Sequence, residues 1–198
     1  MSDYFTVFGL ARKLGVDGEA LQRRFYELSR EHHPDFHHGA DATRQADALA
    51  QSALVNRAYR ALRDPLARVD YLIALEEGRE TREGAGEKPK APRELLQEML
   101  EVQEALEEAK AEGLGGDAAA RLREERGRQE ARHRAEGEAV VARFPEWDRL
   151  VDGGGDRKPL LEWFKQRLAT RAYLRTVIDD LSDALGEREE DHVSDRRH

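Results

Sequence analysis

Between Leu160 and Leu185 the apolar residues recur mostly at steps of three or four: Leu160, Phe164, Leu168, Leu174, Val177 or Ile178, Leu181, Leu185. A stripe of that spacing closes one face of an α-helix, whereas a strand repeats every two residues. The same spacing returns in Leu21–Phe25–Leu28, in Val55–Ala58 or Tyr59–Leu62, and in Leu66–Val69–Leu72–Ile73–Leu75. No stretch alternates apolar with polar residues, and no segment repeats. The sequence therefore predicts an all-α protein.

Punctuation residues divide the chain. Asp17 reads as an N-cap with Glu19 in the first turn, where a negative charge suits the helix dipole. Pro34 ends that helix, because it lacks an N–H and pushes His33 out of the α region. A second helix is expected from Ala42 to Leu62. Asp64-Pro65 then stops it and starts another, with Asp64 as N-cap and Pro65 in the first turn, running to Gly78. Residues 78–91 lack apolar periodicity and are rich in Gly, Lys, Glu and Arg, a linker composition. Pro92 opens a helix carrying Leu95, Leu96, Met99, Leu100, Val102 and Leu106, which stops at Gly113–Gly116. Asp117 caps a long charged helix from Ala118 to about Arg143, weakened at Gly127 and Gly137 by roughly 1 kcal/mol each relative to Ala. Pro145 kinks or ends it before Trp147. The last helix runs from about Pro159 to Leu185. The expected partition is a small N-terminal helical domain over 1–77, a linker over 78–91, a helical bundle over 92–186 and a disordered tail over 187–198.

Composition removes several classes of function. Charged residues make up 37%, against about 25% in an average globular protein, and the mean hydropathy is -0.82. Slender helices that expose most of their circumference give such values. Asp and Glu outnumber Lys and Arg 41 to 33, a net charge of -8, which disfavours general nucleic-acid binding. There is no cysteine, so disulfides, cysteine-ligated metals and a cysteine nucleophile are excluded. The opening residues lack a signal-peptide pattern, and no apolar run approaches the ~18 residues of a membrane span. A soluble, cytoplasmic chain with no membrane partner is expected. Without a catalytic constellation or a Gly-rich phosphate loop, neither enzymatic activity nor a bound cofactor is expected, ATP included.

The densest polar cluster is His32-His33-Pro34-Asp35-Phe36-His37-His38. Four histidines and a carboxylate invite a metal reading, but Pro34 breaks the helix on which His33 and His37 would have to share a face. His33-Pro34-Asp35 directly follows an amphipathic helix with Arg23, Arg24 and Arg30 on or beside its exposed face. In this placement the chain resembles the J-domain family, co-chaperones of the 70-kilodalton heat-shock ATPases. The opening Asp3-Tyr4-Phe5-Thr6-Val7-Phe8-Gly9-Leu10 narrows the resemblance to the HscB-type co-chaperones of iron–sulfur cluster assembly. So does the run Gln51-Ser52-Ala53-Leu54-Val55-Asn56-Arg57-Ala58-Tyr59, followed by Leu62, Pro65, Leu66, Arg68, Tyr71 and Leu72. The match is specific over residues 2–76.

The resemblance implies a J-domain, with an antiparallel helix pair and short flanking helices, joined to a C-terminal three-helix bundle. It implies that His33, Pro34, Asp35, Arg23, Arg24 and Arg30 contact an HscA-like 70-kilodalton chaperone. It further implies that Leu96, Leu100, Glu101, Glu104 and Tyr173 contact an IscU-like cluster scaffold. Two alternatives stay open from the residues themselves. Leu96 and Leu100 also read as bundle core, and a J-domain adaptor serving another client of a DnaK-type chaperone would carry the same N-terminal signature.

Overall fold

The computed structural model describes residues 3–33, 41–79, 93–111 and 113–187. The expected linker, apart from Gly78 and Arg79, lies outside them, as does the expected tail apart from Glu187. The described residues form helices α1 (Tyr4–Val7), α2 (Gly18–Glu31), α3 (Ala42–Arg63), α4 (Pro65–Glu76), α5 (Arg93–Ala111), α6 (Gly116–Ala142), α7 (Phe144–Gly153) and α8 (Lys158–Leu185). They contain no strand.

The caps sit where local chemistry puts them. The Asp17 carboxylate accepts from the N–H groups of Glu19 and Ala20 at 2.9 and 3.1 Å. Asp41 accepts from Arg44, and Asp64 from Leu66 and Ala67 with Pro65 in the first turn. Each satisfies donors that the first turn leaves without an intrahelical partner. Gly127 does not interrupt α6. Pairs one turn apart flank it, Arg126 with Glu130 and Arg128 with Glu124 and Glu125, each worth about 0.2–0.5 kcal/mol, and Leu122 is buried.

Two compact units emerge. One joins Met1–Glu87 with Val140–Lys165, the other Lys88–Ala139 with Gln166–His198. This grouping differs from the linear partition expected from composition, because residues 140–165 fold with the N-terminal segment. Pro145 does not merely kink α6: it sits in the first turn of a separate helix, α7. That helix holds the irregular segment between α1 and α2. The Trp147 indole N–H donates to the Arg12 carbonyl at 3.0 Å. The Asp148 carboxylate accepts from the backbone N–H groups of Leu14 and Gly15 at 2.7 and 3.0 Å, and Lys13 pairs with Asp152.

In this first unit α2 packs along α3, and α1 and α4 also pack on α3. Phe5, Leu14, Leu62, Val69, Leu72, Trp147 and Phe164 are fully buried. Phe25 stacks on Tyr59 with centroids 4.1 Å apart, and Tyr4 on Tyr71 at 4.3 Å. Arg68 is a charged residue inside this core, 4% exposed. Its guanidinium donates to the carbonyls of Leu62 and Leu14. Burial pulls its pKa down, and the charges of Asp64 and Asp148 counter that pull.

In the second unit Val102, Leu106 and Ala109 of α5 meet Ala118 and Leu122 of α6 and Val177 and Leu181 of α8. Glu98 near the start of α5 pairs with Arg132 toward the end of α6, so these two helices run in opposite senses. The result is a three-helix bundle.

Two substitutions test these anchors. Arg68→Met keeps the apolar stem but strips two buried carbonyls of their donors. It should cost about 2–4 kcal/mol, read as a lower midpoint in urea; an unchanged midpoint would mean that the carbonyls find other donors. A Cβ at Gly15 would lie 2.6 Å from Asp148 Oδ2. Gly15→Ala should therefore destabilise the wild-type background by about 1–2 kcal/mol and distinctly less in Asp148→Ala, a coupling that a double-mutant cycle measures.

Candidate functional site

The first candidate face lies on α2. Leu21 and Leu28 are buried and Phe25 is held by its stack on Tyr59. Those three inward contacts fix the rotation of the helix, and with a 3.6-residue period they turn the opposite arc to solvent. Arg23, Tyr26, Glu27 and Arg30 are exposed there. Arg23 lies 3.6 Å from Glu19, and Arg24, beside the arc, pairs with Glu27 at 2.8 Å. Such exposed pairs contribute little to stability, so they hold the guanidinium groups in place without making them unavailable. Arg30 stands in the last turn, where the partial negative charge of the helix terminus favours a cation.

Backbone bonds from His32 N–H to Leu28 O at 3.0 Å and from His33 N–H to Arg30 O at 3.4 Å close α2. His33 is exposed immediately beyond it. Pro34, Asp35, His37 and His38 lie outside the described residues. Among the described residues no cluster of three His, Cys, Asp or Glu side chains could hold a metal ion. The sequence reading overlooked Tyr26, whose ring is 61% exposed and lies between Arg23 and Arg30 on the same ridge. The 3.6-residue period that placed the arginines places it too, but an aromatic on a helix is ordinarily counted with the core.

The second face lies on α5. Its apolar residues fall on two arcs, more than one core contact needs. Leu95, Val102, Leu106 and Ala109 are buried, whereas Leu96 and Leu100 are 48% and 60% exposed. The core alternative for this pair is thereby set aside. Glu104 continues the ridge one turn beyond Leu100, and Glu101 stands beside it; both are exposed. These four expected positions share the outward side of α5.

Tyr173 is different. It sits on α8, half-buried against the bundle core, and its hydroxyl is buried without a hydrogen-bond partner. Burial, reinforced by the charges of Glu98 and Asp180, pushes the phenol pKa up. It borders the bundle core instead of projecting freely. Ala172 next to it and Gln97 on α5 are exposed. None of the described helices is long and apolar enough to cross a membrane.

No protein-family model matches the sequence. Solved structures do resemble the chain. The chaperone HscB from Vibrio cholerae superposes with a TM-score of 0.63 at 22% identity, covering 94% of this chain and 99% of that one. The human co-chaperone protein HscB superposes with a TM-score of 0.63 at 26% identity, covering 92% of this chain and 81% of that one. Both likenesses extend through the helix that ends at His33 and through the bundle that displays Leu96 and Leu100. Over nearly its whole length, the chain has the fold of the HscB-type J-domain co-chaperones.

Proposed function

We propose that this protein is a co-chaperone of iron–sulfur cluster assembly. It stimulates the ATPase of an HscA-like 70-kilodalton chaperone and delivers to it an IscU-like scaffold protein. The observation that carries the reading is the exposed arginine ridge of α2 ending at His33 of His33-Pro34-Asp35, in a chain whose likeness to the two HscB structures extends through both units.

In this reading Arg23, Arg24 and Arg30 steer α2 to a negatively charged surface of the chaperone, an attraction that accelerates encounter and is screened by salt. Tyr26 adds an amphipathic anchor of the type that dominates interface energetics. Pro34 restricts the loop and lowers the ordering cost of binding. Asp35 offers a carboxylate to a basic group of the chaperone, and His33 a hydrogen-bonding contact. These contacts act only if they bind one chaperone conformation better than another, shifting it to the hydrolysing, client-trapping state. The chain performs no bond chemistry of its own; the hydrolytic step is the chaperone's.

Leu96, Leu100, Glu101 and Glu104 contact the scaffold, with apolar area supplying affinity and the carboxylates orientation. Tyr173 contributes the edge of its ring. Binding both proteins raises the effective concentration of client beside chaperone.

The test is the steady-state ATPase rate of the chaperone alone, with this protein, with protein plus scaffold, and with the His33→Gln variant plus scaffold. Stimulation by the protein and further synergy with scaffold are expected, both lost in His33→Gln while its thermal midpoint stays unchanged. An equally active variant sinks the J-domain reading; stimulation without synergy points to an adaptor for another client. Raising salt from about 50 to 200 mM should weaken stimulation through screening of the α2 charges. Leu100→Lys should leave basal stimulation intact and weaken scaffold binding at least about tenfold, or ~1.4 kcal/mol, in a calorimetric titration. Unchanged scaffold affinity would remove α5 from that interface.

A further inference from the structure

Around α5 from the Leu96–Leu100 ridge, the bundle carries a groove between α5 and α6 with a volume of about 580 Å³. Its floor is made of small or recessed side chains. Ala105, Ala109 and Ala118 line it beside Val102 and Leu122, and of these Ala105 is exposed while the other four are buried. Where two helices meet through alanines, a third helix can approach closely, since interaxial distance follows side-chain size.

The rims are charged and unequal. Five glutamates and three arginines line the groove. Arg132 is engaged by Glu98, and Arg128 by Glu125 and Glu124. The basic rim is thus largely answered within the groove itself. The surplus is acidic and falls on α5, at Glu101 and Glu108, both exposed. These two stand seven residues apart, one heptad, or about 10.5 Å along the axis at 1.5 Å per residue. Flanking charges at heptad spacing beside an apolar seam select helical partners in coiled coils. A second copy of this chain fits less well, because it would bring the same acidic surplus against its own kind.

We infer that the α5–α6 groove docks a basic amphipathic helix of a partner protein. Its small apolar residues face Ala105, and lysines or arginines one heptad apart face Glu101 and Glu108. This surface lies on α5 away from the Leu96–Leu100 ridge and does not depend on the scaffold reading.

The probe is a fluorescein-labelled peptide of about three heptads, with Ala and Leu at the seam and Lys at the flanking positions. Its control is a peptide of the same composition with the order scrambled. Titrated into the full chain and followed by anisotropy, the amphipathic peptide should bind saturably with one-to-one stoichiometry and the scrambled one at least about tenfold more weakly. Ala105→Trp, which fills the groove, and Glu108→Lys, which reverses one rim charge, should each weaken binding at least about tenfold, whereas Leu100→Ala should leave it unchanged. Glu108→Lys is a surface change and keeps the test valid if Ala105→Trp fails to fold. Equal binding of the scrambled peptide, or indifference to Glu108→Lys, would overturn the inference in favour of nonspecific attraction to an acidic protein. A concentration-dependent dimer in sedimentation that Ala105→Trp abolishes would overturn it in favour of a second copy as the occupant.

Discussion

The irregular segment from Arg12 to Gly15 owes its conformation to side chains remote in sequence. The Arg12 carbonyl accepts from Trp147, the Leu14 and Gly15 N–H groups donate to Asp148, and the Leu14 carbonyl accepts from Arg68. Backbone groups buried without a helix or sheet partner must be paired in this way or pay the desolvation cost. Two residues beyond Gly15, Asp17 caps α2. The start of the arginine-bearing helix is therefore set by an arginine on α4 and by a tryptophan and a carboxylate on α7. Gly15 is suited to the arrangement because a side chain there would collide with the carboxylate that holds it.

This dependence marks the boundary of what the sequence makes legible. Asp17, Asp41 and Asp64 cap helices through contacts two or three residues away, so the residues themselves announce the helix starts. Pro65 and the buried apolar stripes are local in the same sense, and each helix from α2 to α6 begins and ends close to where periodicity and capping put it. Trp147, Asp148 and Arg68 act on partners between 6 and 135 positions away. Nothing near Trp147 in the sequence says that its indole will meet the Arg12 carbonyl. A partition of the chain by composition accordingly assigned 140–165 to the C-terminal bundle, whereas the packing joins it to the N-terminal unit.

The candidate surfaces divide along a similar line. The arginine ridge of α2 was readable because Leu21, Phe25 and Leu28 fix the orientation of that helix, and orientation fixes what faces outward. On α5 the sequence offered two overlapping apolar arcs, and periodicity alone could not assign either to the core. The packing of Val102, Leu106 and Ala109 against α6 and α8 makes the choice and leaves Leu96 and Leu100 in solvent. Tyr173 shows the converse limit. An aromatic inferred from resemblance to lie on a binding surface is half-buried, with its hydroxyl held in a place that offers it no partner.

Both faces of the proposed co-chaperone impose opposite demands on the same kind of element. A helix that presents cations or leucines to a partner must be fixed in rotation by its buried side, since a turn of one residue position would carry the ridge about 100° around the axis. On α2 that fixation comes from aromatic stacking and two buried leucines; on α5 it comes from smaller residues, with alanines where the neighbouring helix approaches. The smaller residues hold α5 while leaving a groove beside it, and the acidic rim of that groove stands at the edge of the leucine ridge. A helix built this way has two outward-facing sides with different chemistry, one apolar and protruding, the other recessed and anionic. Substitutions at Leu100 and at Glu108 therefore address separate surfaces, although the two residues are only eight positions apart on the same helix.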